Sequence, residues 1–284
     1  MTDHTAPAAA NGAYPLRRIL ILIAAFAAPI IGYGQMALGW GLSPSEFSAQ
    51  GDSTLRVAGY AFAIWGVIYG WLIVYAVYQA LPSTTESDMS GRLGWPSFAA
   101  LALTGIWVVA SALNLEWATV VIIVAAALSL LIPIVRNGPR FRAEPLRRKS
   151  LVLWPLSLLM GWLTIASLVN TLTVATSQGL ITQEAADLWA LAAVLVATAM
   201  ALLVTYRTRI WTYPVPIAWG LVGAFFAQRT EGNNLLAFSA LGAAVLIIIG
   251  ATLILSRRDG QAPGERRSFS SGSSDPTSNA PSSP

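Results

Sequence analysis

The sequence predicts an all-α, polytopic membrane protein: a bundle of about eight spanning helices. Three observations carry that prediction. The 284-residue chain is 55% hydrophobic and only 11% charged, with a mean hydropathy of +0.62, where a soluble domain carries roughly 25% charged residues. Apolar runs of spanning length recur from end to end, each suited to a hydrocarbon core about 30 Å thick. Nearly all the cations fall in alternate segments between those runs.

The runs cover 19–38, 57–81, 98–115, 117–135, 151–174, 186–206, 210–227 and 235–255. The third and fourth nearly meet at 114–117, and Pro214 and Pro216 predict a late start or a bend in the seventh. With a cytoplasmic N-terminus, the inner segments hold Arg17, Arg18, Arg92, Arg136, Arg140, Arg142, Arg147, Arg148, Lys149, Arg207, Arg209, Arg257, Arg258, Arg266 and Arg267. The outer segments hold Arg56 and Arg229 alone of the 17 Lys and Arg. This is the positive-inside pattern, and dropping or adding one helix would scramble it. Both termini are therefore expected in the cytoplasm, in a bacterial inner membrane.

Outside the bundle, residues 1–16 are polar and Ala-rich, and 256–284 are rich in Ser, Pro and Gly without apolar period. Both read as unstructured tails. The apolar run after Arg17 and Arg18 is too long for the h-region of a cleaved signal peptide. The loop 136–150, with six cations, is expected to lie against anionic lipid head groups.

Composition also excludes chemistry. With no cysteine, disulfides, thiolate metal sites and thiol catalysis are ruled out. The one histidine, His4, lies in the N-terminal tail, so imidazole bases and ligands are missing from the bundle. No metal site, cofactor or catalytic residue is expected, and the chain leans away from being an enzyme. An enzyme here would have to work with Ser, Tyr or Asn. No basic face on a soluble module suggests nucleic acid as a partner.

The second run has the most distinctive composition. Tyr60, Phe62, Trp65, Tyr69, Trp71, Tyr75 and Tyr78 crowd 60–81, where a lipid anchor would carry Leu, Val and Ile. Trp65 and Tyr69 share one face, and Trp71, Tyr75 and Tyr78 form a second stripe. Gly66 and Gly70, four apart, predict close helix approach. Such a helix suits the wall of an intramembrane pocket.

Three polar residues interrupt the apolar runs elsewhere. Asn114 and Asn170 are expected to face other helices, as interhelical hydrogen bonds or as the polar tips of a cavity. Glu116 stands where two runs meet, so an interfacial position is expected rather than an ion-coupling one. Of the 11 tryptophans, Trp65, Trp107, Trp162 and Trp219 fall deepest. Flat aromatic walls with few polar groups suit a planar, apolar ligand.

These residues sit in a recognisable spacing. Trp65-Gly66-Val67-Ile68-Tyr69 resembles the W-x-x-L-Y of the TspO/MBR family, the tryptophan-rich sensory or translocator proteins. Leu113-Asn114-Leu115-Glu116-Trp117 resembles its L-N-x-x-W, and 162–170 resembles its W-x-x-x-A-x-x-x-N, in the family's order. The resemblance spans about 19–174. It implies a five-helix bundle over 17–175 whose cavity binds tetrapyrroles, sterols or synthetic aromatic compounds, often as a homodimer. Carried over, Trp65, Tyr69, Asn114, Trp117, Trp162, Ala166 and Asn170 would line or shape that cavity. The chain departs from the family in lacking a W-x-P-P loop at 39–56, where only Pro44 occurs, and in placing Pro155 seven residues before Trp162. The three helices over 176–255 resemble the extension of longer relatives. The resulting expectation is a membrane protein that binds a hydrophobic, planar ligand such as a porphyrin, for sensing or transport. A secondary transporter of a small amphipathic solute is the alternative, against which stand the scarcity of buried charge and the lack of an inverted repeat.

Overall fold

A computed structural model describes residues 10–50, 55–82 and 87–257. The tails at 1–9 and 258–284, His4 among them, lie outside the described residues. The elements in order are α1 (Ala10–Leu38), the short α2 (Pro44–Ala49), a 3-10 turn (Gly59–Ala63), α3 (Ile64–Ala80), α4 (Asp88–Ala112), α5 (Glu116–Arg142), a turn of helix α6 (Leu146–Arg148), a π-helical segment (Lys149–Leu153), α7 (Trp154–Ser177), α8 (Gln183–Thr208), α9 (Pro214–Thr230) and α10 (Asn234–Ser256). The chain is thus an all-α helix bundle, and among the described residues it has eight long helices. Seven are long and apolar enough to cross a membrane, α3 counted with its leading 3-10 turn. The exception is α9, whose 17 residues extend about 26 Å at 1.5 Å per residue. Its prolines explain the shortness: Pro214 and Pro216 lack N–H groups and so occupy the first turn, where no intrahelical donor is needed.

Local signals set the other boundaries. Ser87 caps α4 by accepting from the Ser90 N–H, which starts that helix ten residues before the apolar run. Asn114 takes a left-handed conformation, φ 54°, and so ends α4 and separates it from α5. At the start of α2, Ser43 and Glu46 form a reciprocal capping box. The Ser43 hydrogen bonds hold the Glu46 carboxyl below its ordinary range.

α7 is the hub. In its most apolar stretch 78% of residues are buried, against 28–56% in the other six spans, and it packs on α2, α3, α5, α8 and α9. Around it α1 packs on α3 and α4, α4 on α5, and α10 on α8 and α9. Lipid tails are as apolar as leucine, so these contacts rely on close van der Waals fit and on hydrogen bonds. Glycine permits that fit where α9 meets the rest. A Cβ on Gly161 of α7 would stand 2.1 Å from the Tyr213 carbonyl oxygen, and one on Gly223 would stand 2.8 Å from Ala61 and Val57. Gly66 and Gly70, expected to mark close approach, do not. Gly70 has nothing within 4 Å of its Cβ position and Gly66 only the Tyr33 hydroxyl, at 3.7 Å. Both are exposed.

At one end of the bundle, cations close the helix C-termini. Arg142 donates to the Arg207 carbonyl at 3.2 Å, Lys149 donates to the Arg142 carbonyl at 3.2 Å, and Arg209 donates to the carbonyls of Ile254 and Arg257. The positive side chains thus meet the negative ends of α5, α8 and α10. The opposite end holds the α4–α5 and α7–α8 turns and the Arg56–Glu231 ion pair, 3.2 Å. The described cations therefore segregate as their sequence spacing predicts.

Trp71, Tyr75 and Tyr78 do not form a free stripe. The Trp71 indole donates to the Ser150 carbonyl at 3.0 Å and meets Trp154 edge-on. The Tyr75 hydroxyl pairs with Ser97 of α4 at 2.7 Å, and Tyr78 lies under the Arg147 guanidinium at 5.4 Å.

The glycine contacts make opposite predictions for one chemical change. Gly161→Ala is expected to destabilise the protein by about 1–3 kcal/mol through overpacking against fixed backbone. Gly242→Ala, at an open position on α10, is expected to be neutral or to stabilise by about 0.5–1 kcal/mol through helix propensity. Thermal unfolding of both variants in the same detergent checks the contrast, and equal shifts would remove the close approach from the account.

Candidate functional site

A narrow cavity lies near one end of the bundle, with α7 as its back wall. Pro44, Phe47 and Ser48 of α2 close it from the loop side, and Val57 and Phe62 come from the chain entering α3. Trp65 of α3, Trp107 of α4, Ile123 of α5 and Gly220 of α9 complete the ring. From α7 come Trp162, Ile165, Ala166, Val169, Asn170 and Thr173, one face of a helix by their spacing of three and four. The cavity volume is about 40 Å³.

Aromatic rings form much of the wall. Trp65 stands edge-on to Trp162, centroids 6.0 Å apart at 81°. Phe62 meets Trp162 at 6.1 Å and 83°, and Phe47 meets Trp107 at 6.3 Å and 84°. These are the edge-to-face arrangements that ring quadrupoles favour. Tyr69 stacks on Trp65 at 4.9 Å and 19° and faces a second, wider hollow of about 220 Å³. That hollow shares Pro44, Phe62 and Trp65 with the first, so these three residues form a partition between them.

Asn170 supplies the polar centre. Its Oδ1 accepts from the Trp107 indole N–H at 3.2 Å, and its Nδ2 donates to Thr119 Oγ1 at 2.9 Å. Thr119 in turn donates to the Glu116 carbonyl. One amide of α7 therefore joins α4 and α5, and the three residues are buried.

Of the seven residues singled out in the sequence, Trp65, Trp162, Ala166 and Asn170 line the cavity and Tyr69 lines the adjoining hollow. The other two stand apart. Asn114 is exposed in the left-handed turn after α4, so it does not face another helix as expected, and Trp117 is 48% exposed on the outer side of α5. The left-handed turn that ends α4 carries Asn114 off the helix face. Glu116 is the first residue of α5, at the end of the helix. Its carboxylate accepts from Ser177 Oγ at 2.5 Å and from Gln178 Nε2 at 2.8 Å, fastening α5 to the end of α7. Trp219 is 38% exposed rather than deep, and its indole donates to the Ala61 carbonyl at 2.8 Å. The sequence places Trp107 among the deep tryptophans but not among the cavity residues, and it gives no sign of the α2 residues or Gly220. Trp107 had the depth to be found, but nothing in its run shows its partner on another helix.

With this geometry in view, the comparison with known families becomes interpretable. A model of the TSPO-like protein family matches residues 18–253. The chain belongs to this family. The match takes in all eight long helices, α8 to α10 included, whereas the short motifs reach only as far as α7. No curated protein and no solved structure matches the chain. This TSPO-like protein is an integral membrane protein by its family and its apolar helices.

The amide network sets a stability prediction. Asn170→Leu leaves the Trp107 N–H and the Thr119 hydroxyl without their partner, at an expected cost of about 1–3 kcal/mol. Thr119→Val alone costs less, and the two changes together cost less than their sum. Chemical or thermal unfolding of the two single variants and the double variant measures the coupling, and strict additivity would mean that the network is not cooperative.

Proposed function

We propose that this TSPO-like protein binds a hydrophobic, planar ligand of the tetrapyrrole kind in the cavity between α2, α3, α4, α5, α7 and α9, for sensing or transport. The observation that carries this reading is the apolar cavity walled by Trp65, Trp107 and Trp162, with a single amide at its centre. At about 40 Å³ the cavity accommodates only a few waters. A ligand of several rings therefore requires the partition of Pro44, Phe62 and Trp65 to shift, which joins the slot to the wider hollow beside it. Pro44 and Phe62 of the partition belong to the short α2 and the 3-10 turn, whose few contacts make them easier to displace than a spanning helix, and Trp65 stands in the first turn of α3. Edge-to-face rings lose little on rotation, and a flat ligand replaces them with stacked contacts.

The cation distribution supports a bacterial inner membrane with both termini in the cytoplasm. The cavity then lies toward the outer leaflet. Ligand binding of this kind uses shape and burial rather than covalent chemistry. The ion-coupled transporter is the weaker reading, because Glu116, the carboxylate closest to the cavity network in sequence, already accepts from Ser177 and Gln178.

Titration of purified protein with protoporphyrin IX is expected to quench tryptophan fluorescence saturably. Trp162→Leu is expected to weaken the affinity about tenfold, equivalent to about 1.4 kcal/mol, the scale of one lost aromatic contact. Equal affinity in wild type and variant would rule the cavity out as the binding site.

A further inference from the structure

Ser48 is the residue of the cavity that the packing leaves unexplained. It lines the cavity from α2, is 8% exposed, and its Oγ has no hydrogen-bond partner among the described residues. A buried helical hydroxyl ordinarily folds back onto the carbonyl one turn earlier. Thr104, Thr164, Thr198 and Thr208 of this chain do so, at 2.7–2.9 Å. Ser48 does not bond back to Pro44 in this way. Ser157, Thr205 and Thr212 also lack partners, but none of them lines the cavity. Of the cavity's other polar side chains, Asn170 already donates and accepts within the protein, and Thr173 stands beside it on α7, 4% exposed. No Lys, Arg, Asp or Glu lines the cavity, so a charged group placed there would be buried without a counter-charge, at high cost.

We propose that Ser48 is the polar anchor of this cavity and selects an uncharged, apolar ring compound carrying one hydrogen-bonding group, such as a hydroxyl or carbonyl, over its carboxylate counterpart. The inference rests on the ligand-binding reading above and sharpens it. The hydroxyl can donate to a ligand carbonyl or accept from a ligand hydroxyl, and its desolvation is already complete before the ligand arrives. A matched hydrogen bond is then gained without displacing a protein partner. Anionic tetrapyrroles would bind only with their carboxylates outside the cavity.

Three pyrene probes of one size test this: 1-methylpyrene, 1-pyrenemethanol and 1-pyrenecarboxylate at about pH 8, where the acid is ionised in water. Energy transfer from tryptophan to pyrene is followed in wild type and Ser48→Ala, in vesicles of zwitterionic lipid, with affinities corrected for partition into the lipid. In wild type, pyrenemethanol is expected to bind about three- to tenfold more tightly than methylpyrene, the worth of one neutral hydrogen bond. The carboxylate is expected to bind at least about tenfold more weakly than the alcohol. Ser48→Ala should abolish the alcohol's advantage, so that pyrenemethanol and methylpyrene bind it alike, and thermal unfolding of the variant shows that it keeps its fold. If methylpyrene binds and the advantage is missing or survives Ser48→Ala, the anchor is overturned while the cavity reading stands. If the carboxylate binds as tightly as the alcohol, the selection for uncharged ligands is overturned. If no probe binds wild type saturably, the cavity reading fails and this inference fails with it.

Discussion

The cavity depends on one buried amide. Asn170 is set in the most enclosed helix of the bundle, where an unpaired amide would cost several times the worth of a hydrogen bond. The chain meets that cost by bringing Trp107 and Thr119 to it from two other helices. Each bond fixes an orientation as well as an energy. The Trp107 ring is held by its N–H and by the edge of Phe47, and so presents a flat wall instead of filling the space. Apolar packing alone would let α4, α5 and α7 slide to close the gap. The amide, with its fixed donor and acceptor directions, holds them in register around it.

A second constraint comes from the far end of the chain. α9 is too short to span the membrane comfortably, and its first turn carries two prolines. It is held by near-contact of backbones, where glycines at 161 and 223 remove the side chains that would keep the helices apart. Gly220 of the same helix faces Ile165 and lines the cavity. The Ala58 N–H donates to the Gly223 carbonyl at 3.1 Å, and the Trp219 indole donates to Ala61. α9 thus grips the segment that leads into α3, so the last three helices and the cavity wall are parts of one packed unit. The extent of the family match, 18–253, agrees with that physical continuity.

Much of this was legible in the sequence because the governing signals are local. Spanning length and cation placement are properties of a window of residues, and they predict the eight long helices, seven of them long and apolar enough to span, and the segregation of the cations. Trp65, Trp162, Ala166 and Asn170 lie at spacings that put them on one face of their helices, and that face meets the cavity. The misses share a different cause. Whether Gly66 or Gly161 is a contact depends on which face a neighbouring helix occupies, and a four-residue spacing of small residues carries no such information. Asn114 was misplaced for a reason that could have been seen: an asparagine between two apolar runs reads as a left-handed helix end. α2 offers no hydropathy signal at six residues, yet it supplies Phe47 and Ser48. Its serine–glutamate capping box was the available clue.

The division of labour between Asn170 and Ser48 follows from how each is satisfied. An amide that bridges two helices cannot turn toward a ligand without releasing one of them, so its contribution is to the shape of the site. A hydroxyl on a six-residue helix, bonded to nothing, has no such duty. The polar group that holds the walls and the polar group free to address an occupant are therefore different residues, on elements of different rigidity. On the proposed ligand-binding reading, α7 and its amide keep the geometry constant while α2 shifts with the ligand. In an otherwise apolar enclosure, that separation lets the site open without losing the hydrogen bonds that define it.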